Sequence, residues 1–355
     1  MPTQSETASM AEISSGPGNP PAPPVLPLTG EIPPPSQSDA PKYDPTVKAG
    51  SAEERCKYTL NQFVDSKPGL REFFPDKIFA GYAARAARLV DEIIKLKCPK
   101  ETAQQFAILV LYDLALLIDD SSSMYTDDDG ARVKTLHTLL KAVAEVYELA
   151  REEGIMSVRY LNGRQGRKNV TKAKVDEVHK AIRYHGLTMI GTQLQEKILK
   201  PFVEKKVMTK PLLTMIITDG AIEGESSGVL EKNIYNCLTS LQSGPKPKTE
   251  DAVAFMFARI GDDPGAKELI ESLDNHKDMD QWIDCLPVNE KIEDVGNGSA
   301  EHWSVLRKLF LGALDADIDR FDVVQAETPI DTSEKVLKLK DHHKVRPLGE
   351  EEEDV

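Results

Sequence analysis

The chain lacks an excess of positive charge, a long apolar run and a cysteine framework, and each shortage removes a class of protein. Its 44 Lys and Arg stand against 58 Asp and Glu, a formal charge of −14. Nucleic-acid binding needs a concentrated basic face to displace phosphate counterions, and this balance argues against it. It argues equally against docking on an anionic membrane. The longest apolar stretch, Phe106 to Ile118, is interrupted by Asp113 and is too short to span a bilayer. Residues 1–50 hold neither a basic start nor an apolar run, so no signal peptide is expected. The chain therefore reads as cytoplasmic, with the nucleus left open, and the sequons at Asn169 and Asn297 are discounted. The four cysteines, Cys56, Cys98, Cys237 and Cys285, lie far apart with no Cys-x-x-Cys spacing and read as buried, reduced thiols.

Familiar catalytic signatures are missing too. There is no Gly-x-Gly-x-x-Gly turn and no Walker A loop, so nucleotide binding is unsupported. No serine sits in a Gly-x-Ser-x-Gly elbow. The seven histidines, His137, His179, His185, His276, His302, His342 and His343, show no zinc-type spacing.

What is present divides into four parts. Residues 1–50 hold about half of the 23 prolines and read as a disordered leader. Within 20–35, Pro21-x-x-Pro24 and Pro24-x-x-Pro27 would suit a polyproline-binding groove only weakly, because no Lys or Arg flanks them. Residues 51–110 read as helical: Ser51 and Glu54 form a capping-box pattern, apolar spacing predicts a helix over 75–97, and Pro99 can open a third.

Residues 111–316 alternate short apolar strands with amphipathic helices. Strands are expected at 114–118, 157–161, 212–218, 252–260 and 282–286. Helices are expected at 134–152, 175–183, 193–205, 229–241, 266–273 and 302–316. Such alternation implies an α/β fold, a doubly wound and mostly parallel sheet with helices on both faces. Residues 317–355 lose the periodicity and end in the acidic run Glu350–Asp354, which should stay solvated.

In doubly wound folds ligands bind beyond the carboxyl ends of the strands. There the sequence places Asp119-Asp120-Ser121-Ser122-Ser123, then Gly191-Thr192, then Thr218-Asp219-Gly220, then Gly261-Asp262-Asp263. Hard oxygen donors of this kind suit Mg²⁺, Mn²⁺ or Ca²⁺ rather than zinc. Each loop alone is a common helix cap, but three in this order are specific. Asp119-x-Ser121-x-Ser123 with Thr192 and Asp219 resembles the metal-ion-dependent adhesion site of von Willebrand factor A domains, and the resemblance covers about residues 111–316. It implies hydroxyl ligation by Ser121 and Ser123. Asp119 and Asp219 would act largely through water, and Thr192 directly or through water.

A cation held mainly by neutral hydroxyls stays electrophilic and attracts a carboxylate from outside. The leading expectation is therefore a metal-dependent protein-interaction module, not an enzyme, whose partner offers a Glu or Asp side chain. The alternative is a Mg²⁺-dependent phosphatase of the haloacid-dehalogenase type using Asp119 as nucleophile. Ser121 stands where that chemistry needs a second acid. Asp127-Asp128-Asp129 reads as a solvated helix start rather than a second cation site. The basic stretch 163–168 reads as a solvated turn.

Overall fold

The apolar, β-branched run Leu212–Thr218 forms a central strand of a six-stranded sheet in the computed structural model. The structure describes residues 50–318 apart from 76–78, 206, 244–248, 275, 278, 289–297 and 316–317. The expected proline-rich leader with its two Pro-x-x-Pro repeats, the acidic run, His342, His343 and the sequon asparagine Asn297 fall outside these residues.

The strands are β1 (Asp113–Ile118), β2 (Ile155–Tyr160), β3 (Arg167–Val170), β4 (Leu212–Thr218), β5 (Val253–Arg259) and β6 (Ile283–Pro287). Their spatial order is β3-β2-β1-β4-β5-β6. All neighbours pair in parallel except β2 and β3, which pair antiparallel. The fold is thus α/β and doubly wound, as the alternation of elements implies. From β1 the chain winds first to one side, through β2, and later returns to the other, through β4. The crevice between the ends of β1 and β4 is the topological switch point, where this class of sheet binds ligands.

Alternation along each strand sorts the core into two layers. Leu114, Leu116 and Ile118 of β1 join Leu213, Met215 and Ile217 of β4 in one buried cluster. Ala115 and Leu117, with Leu212, Ile216, Phe255 and Phe257, face the other side. Complete burial of each large side chain contributes roughly 1.5–3 kcal/mol.

Helices α1 (Ala52–Ser66), α2 (Phe79–Lys95) and α3 (Lys100–Gln105) lie on the first face with α5 (Ala131–Ala150) and α10 (Ala300–Leu311). Cys56, Leu60, Ala83, Ile93 and Phe106 belong to the same continuous cluster as the strands, so the N-terminal helices share the core of the sheet. Ser51 caps α1 as its sequence suggests: its hydroxyl accepts from the Glu54 amide at 3.2 Å, and the Glu54 carboxylate accepts from the Ser51 amide at 2.7 Å. The second face carries α7 (Ile190–Leu194) and α8 (Val229–Gln242). The short α4 (Ser123–Thr126) and α6 (Val175–Lys180) lie between strands, and α9 (Pro264–Asp274) precedes β6.

Two expectations need correction. The stretch expected as a solvated turn, 163–168, runs instead into the edge strand β3, with Ser157 opposite Lys168 and Val158 opposite Arg167. Its polar residues fit an edge that buries little. The helix expected from Gln193 starts earlier, at Ile190, and widens into π-helical turns over Gln195–Glu204 that include Pro201. Proline has no N–H to donate, and the wider turns accommodate it.

Candidate metal centre

Parallel register brings the two acidic loops together. Ile118 lies opposite Ile217, so Asp119 leaves β1 beside the end of β4, and its amide donates to the Ile217 carbonyl at 2.8 Å. Asp219 follows β4 directly. Both aspartates are fully buried.

The Asp119 carboxylate braces the loops on either side. One oxygen accepts from the Ser121 amide at 2.8 Å, and the other accepts from the Thr218 hydroxyl at 2.7 Å. Burial pushes its pKa up to about 6, against the pull of these hydrogen bonds. The Ser121 and Ser123 hydroxyls sit 3.0 Å apart, and Ser123 donates to Asp219 Oδ1 at 3.1 Å. Burial also raises the Asp219 carboxyl above the ordinary range, although Arg132 works against the shift.

Arg132 is a component the sequence did not reveal. It comes from the first turn of α5, and its side chain is largely buried. Its guanidinium donates to Asp219 Oδ2, to Asp128 Oδ2 at 2.9 Å and to Asp127 Oδ2 at 3.1 Å. The Asp127–Asp129 run thus stands at a helix start, as expected, with two of its carboxylates turned onto this arginine. Asp128 and Asp129 have φ of 57° and 49°, a left-handed stretch that Asp tolerates better than most residues.

Thr192 does not take part in this network by any contact the structure gives. It is the third residue of α7, and its amide donates to Glu225 Oε2 at 2.7 Å, while the Gly191 amide donates to Oε1 at 2.8 Å. Glu225 is thus a carboxylate cap on a helix N-terminus. Gly191 is required there, because a Cβ would lie 2.5 Å from the Leu230 amide nitrogen.

A second threonine hydroxyl, that of Thr188 just before α7, faces Gly220 beside the centre. Thr188 is buried, and its Oγ1 lies 3.8 Å from the point where a Cβ on Gly220 would project. Ser123 Oγ lies 3.7 Å from the same point. Gly220 therefore leaves open a small space flanked by a serine and a threonine hydroxyl. Among the described residues no three His, Cys, Asp or Glu side chains converge as a ligand group. Any cation here would be held largely by hydroxyls, with Asp119 and Asp219 behind them, and this donor set fits a hard divalent ion.

The third acidic loop is used differently. Asp263 Oδ1 accepts from the Ala266 amide at 2.8 Å, capping α9, and Asp262 lies 3.7 Å from Arg259.

No family model matches the chain, and no curated protein matches it. Among solved structures it is similar to a von Willebrand factor type A protein from Catenulispora acidiphila, at 13% identity and a TM-score of 0.34. That match covers 57% of this chain and 43% of the other. It is also similar to proximal thread matrix protein 1 from the mussel byssus, at 16% identity and a TM-score of 0.35, over 58% of this chain and 48% of that one. The chain spans less than half the length of either. Among the described residues no helix is long and apolar enough to cross a membrane.

Proposed function

We propose that the switch-point crevice is a divalent-cation site of the von Willebrand factor A type, and that the chain is a protein-interaction module binding a partner's Glu or Asp through that cation. The observation that carries this reading is the run of hydrogen bonds from Ser121 through Ser123 to Asp219, with Asp119 behind it, at the ends of adjacent parallel strands. Ser121, Ser123 and Thr188 would hold Mg²⁺ or Mn²⁺, Thr188 taking the part that the sequence suggested for Thr192. Asp119 fixes the Ser121 loop, and Asp219 aims the Ser123 hydroxyl. Bound there, the cation supplies an electrophilic position that a carboxylate can fill.

Binding is favoured over phosphoryl transfer on the same geometry. A nucleophile must offer a free oxygen to its substrate, whereas both Asp119 oxygens accept hydrogen bonds and the residue is fully buried. Two exposed apolar side chains, Tyr125 at 63% and Leu187 at 46%, come from segments that carry the centre's hydroxyls. Tyr125 stacks on Tyr184 with ring centroids 5.9 Å apart. An aromatic beside a charged anchor is the usual make-up of an interface centre.

The test is calorimetric titration of Mn²⁺ into the wild type and into an Asp119→Ala, Ser121→Ala double variant, followed by partner capture in Mg²⁺ and in EDTA. The reading expects saturable binding that the double variant loses, and a partner released by EDTA. Equal Mn²⁺ affinity in both proteins would overturn it, and so would Mg²⁺-dependent hydrolysis of phosphate esters abolished by Asp119→Asn.

A further inference from the structure

A second feature adjoins the centre on the side of β2. Behind Asp120 opens a cavity of about 360 Å³, lined by Arg164, Arg167, Arg183 and His185 together with Tyr160 and Asn162. The chain is acidic overall, yet among the described residues none of these three guanidiniums has a carboxylate partner.

Asp120, the one acid in the wall, is buried and already committed. Its Oδ1 accepts from the Asn162 amide at 2.6 Å and from Asn162 Nδ2 at 3.3 Å, and its Oδ2 accepts from the Gly163 amide at 2.8 Å. A further cation lies behind the same loop, since Lys197 Nζ donates to the carbonyls of Tyr160, Leu161 and Gly163 at 2.6–3.1 Å. The cavity therefore presents several positive charges to solvent with little to answer them. Forked guanidiniums are suited to planar anions.

The cavity and the metal centre share a wall. Asp120 stands between Asp119 and Ser121, its carboxylate holds the Asn162–Gly163 loop, and its carbonyl accepts from the His185 amide at 2.7 Å. Ser122 in turn donates to the Gly186 carbonyl at 3.4 Å. A chain crossing the rim would meet both places in succession.

We propose that this cavity is a second anion subsite, taking another carboxylate of the same partner segment, so that the ligand is an acidic peptide rather than a single acid. The proposal rests on the reading above for its first carboxylate, but the subsite itself needs no cation.

The experiment uses the full chain and two fluorescein-labelled peptides, hexaglutamate and a Gly-Ser peptide with one Glu, followed by fluorescence anisotropy in Mg²⁺ and in EDTA. An Arg164→Gln, Arg183→Gln variant should bind hexaglutamate about tenfold more weakly in both buffers, with no loss for the single-Glu peptide. A Lys57→Gln, Lys100→Gln variant removes the same charge from α1 and α3, which do not line the cavity, and should bind like the wild type. Circular dichroism of each variant confirms that it has folded.

Equal hexaglutamate binding by the arginine variant would overturn the subsite, and so would equal losses in the two double variants. Displacement of hexaglutamate by inorganic phosphate at lower concentration than by free glutamate peptide would overturn the carboxylate assignment in favour of a phosphoryl ligand. Loss in the arginine variant, with the wild type binding both peptides equally well in Mg²⁺ and in EDTA, would uphold the subsite and sink the metal reading alone.

Discussion

Asp119→Asn should stabilise the protein when no divalent cation is present, and the reason lies in where the charge sits. Asp119 is fully buried, and its pKa of about 6 stands well above the ordinary 3.8. Arg132 is bound to Asp219, and among the described residues Asp119 has no cationic partner. A carboxyl whose folded pKa is raised binds its proton more tightly in the folded state. Stability therefore falls as pH rises from about 4 to about 6, and the full penalty applies above that window. A difference of about two pH units corresponds to about 3 kcal/mol.

Asparagine keeps the Ser121 amide on its carbonyl oxygen. Its amide nitrogen can donate to the Thr218 hydroxyl, which rotates to accept. The loss of charge in the two hydrogen bonds offsets about 1 kcal/mol. A net gain of about 2 kcal/mol should raise the melting temperature by roughly 4–8 °C for a domain of this size. Thermal unfolding in EDTA at about pH 8 measures this rise, and at about pH 5, midway through the window, the difference should shrink because about half of the charge penalty is gone. On the proposed reading saturating Mg²⁺ should reverse the order, since it stabilises only the protein that binds it, by about 2.7 kcal/mol at a hundredfold excess over Kd. A variant that melts below the wild type in EDTA at both pH values would refute the reasoning, because it would show that Asp119 is well compensated without a cation.

Three further outcomes follow from the centre's geometry. Thr188→Val should weaken Mn²⁺ binding by about tenfold in calorimetry while Thr192→Val leaves it unchanged, a loss of about 1.4 kcal/mol; the opposite ranking would restore the role to Thr192. Arg132→Met should destabilise the cation-free protein by about 3–5 kcal/mol, because it strands the buried Asp219. The same substitution should tighten Mn²⁺ binding, and equal affinity in variant and wild type would show that Arg132 and a cation do not compete. Tyr125→Ala should weaken partner capture by about 1–2 kcal/mol with Mn²⁺ affinity intact, and a matching fall in Mn²⁺ affinity would mean that Tyr125 supports the centre rather than the interface.

The fold was legible where burial is heaviest. Strands such as β4 and β5 are buried on both faces and so read as short apolar runs, and amphipathic helices separate them. What escaped was decided by partners distant in sequence. Strand β3 is four mostly polar residues, and only its antiparallel pairing with β2 makes it a strand. The start of α7 has no capping residue of its own, because Glu225, more than thirty residues later, supplies the cap. That hidden cap explains the threonine. A helix expected from Gln193 leaves Thr192 in the preceding loop, where a ligand belongs; a helix that begins at Ile190 takes Thr192 inside and leaves Thr188 in the loop. On the proposed reading, a three-residue shift of the helix start moves the ligand position by four residues. The usable signal was Gly186-Leu187-Thr188, in which Gly186 has a φ of 82° and turns the chain ahead of the helix.

Arg132 raises the sharper question of whether a cation and a guanidinium can serve one centre. Asp127, Asp128 and Asp219 all contact Arg132, and Asp119 lies buried at the foot of the same loop. One positive charge thus stands among four carboxylates and contacts three of them, of which Asp127 and Asp128 are half exposed, where water screens them. Most of the uncompensated charge rests on the two buried aspartates, and each has a pKa raised by its burial. Arg132 reaches only one of them. It holds Asp219 Oδ2 and leaves Oδ1 to orient Ser123, so the guanidinium fixes the second loop while the first keeps its unanswered charge. A dication between the hydroxyls would relieve Asp119, which Arg132 does not touch. On the proposed reading the arginine would lower the affinity for a cation without removing the reason for one.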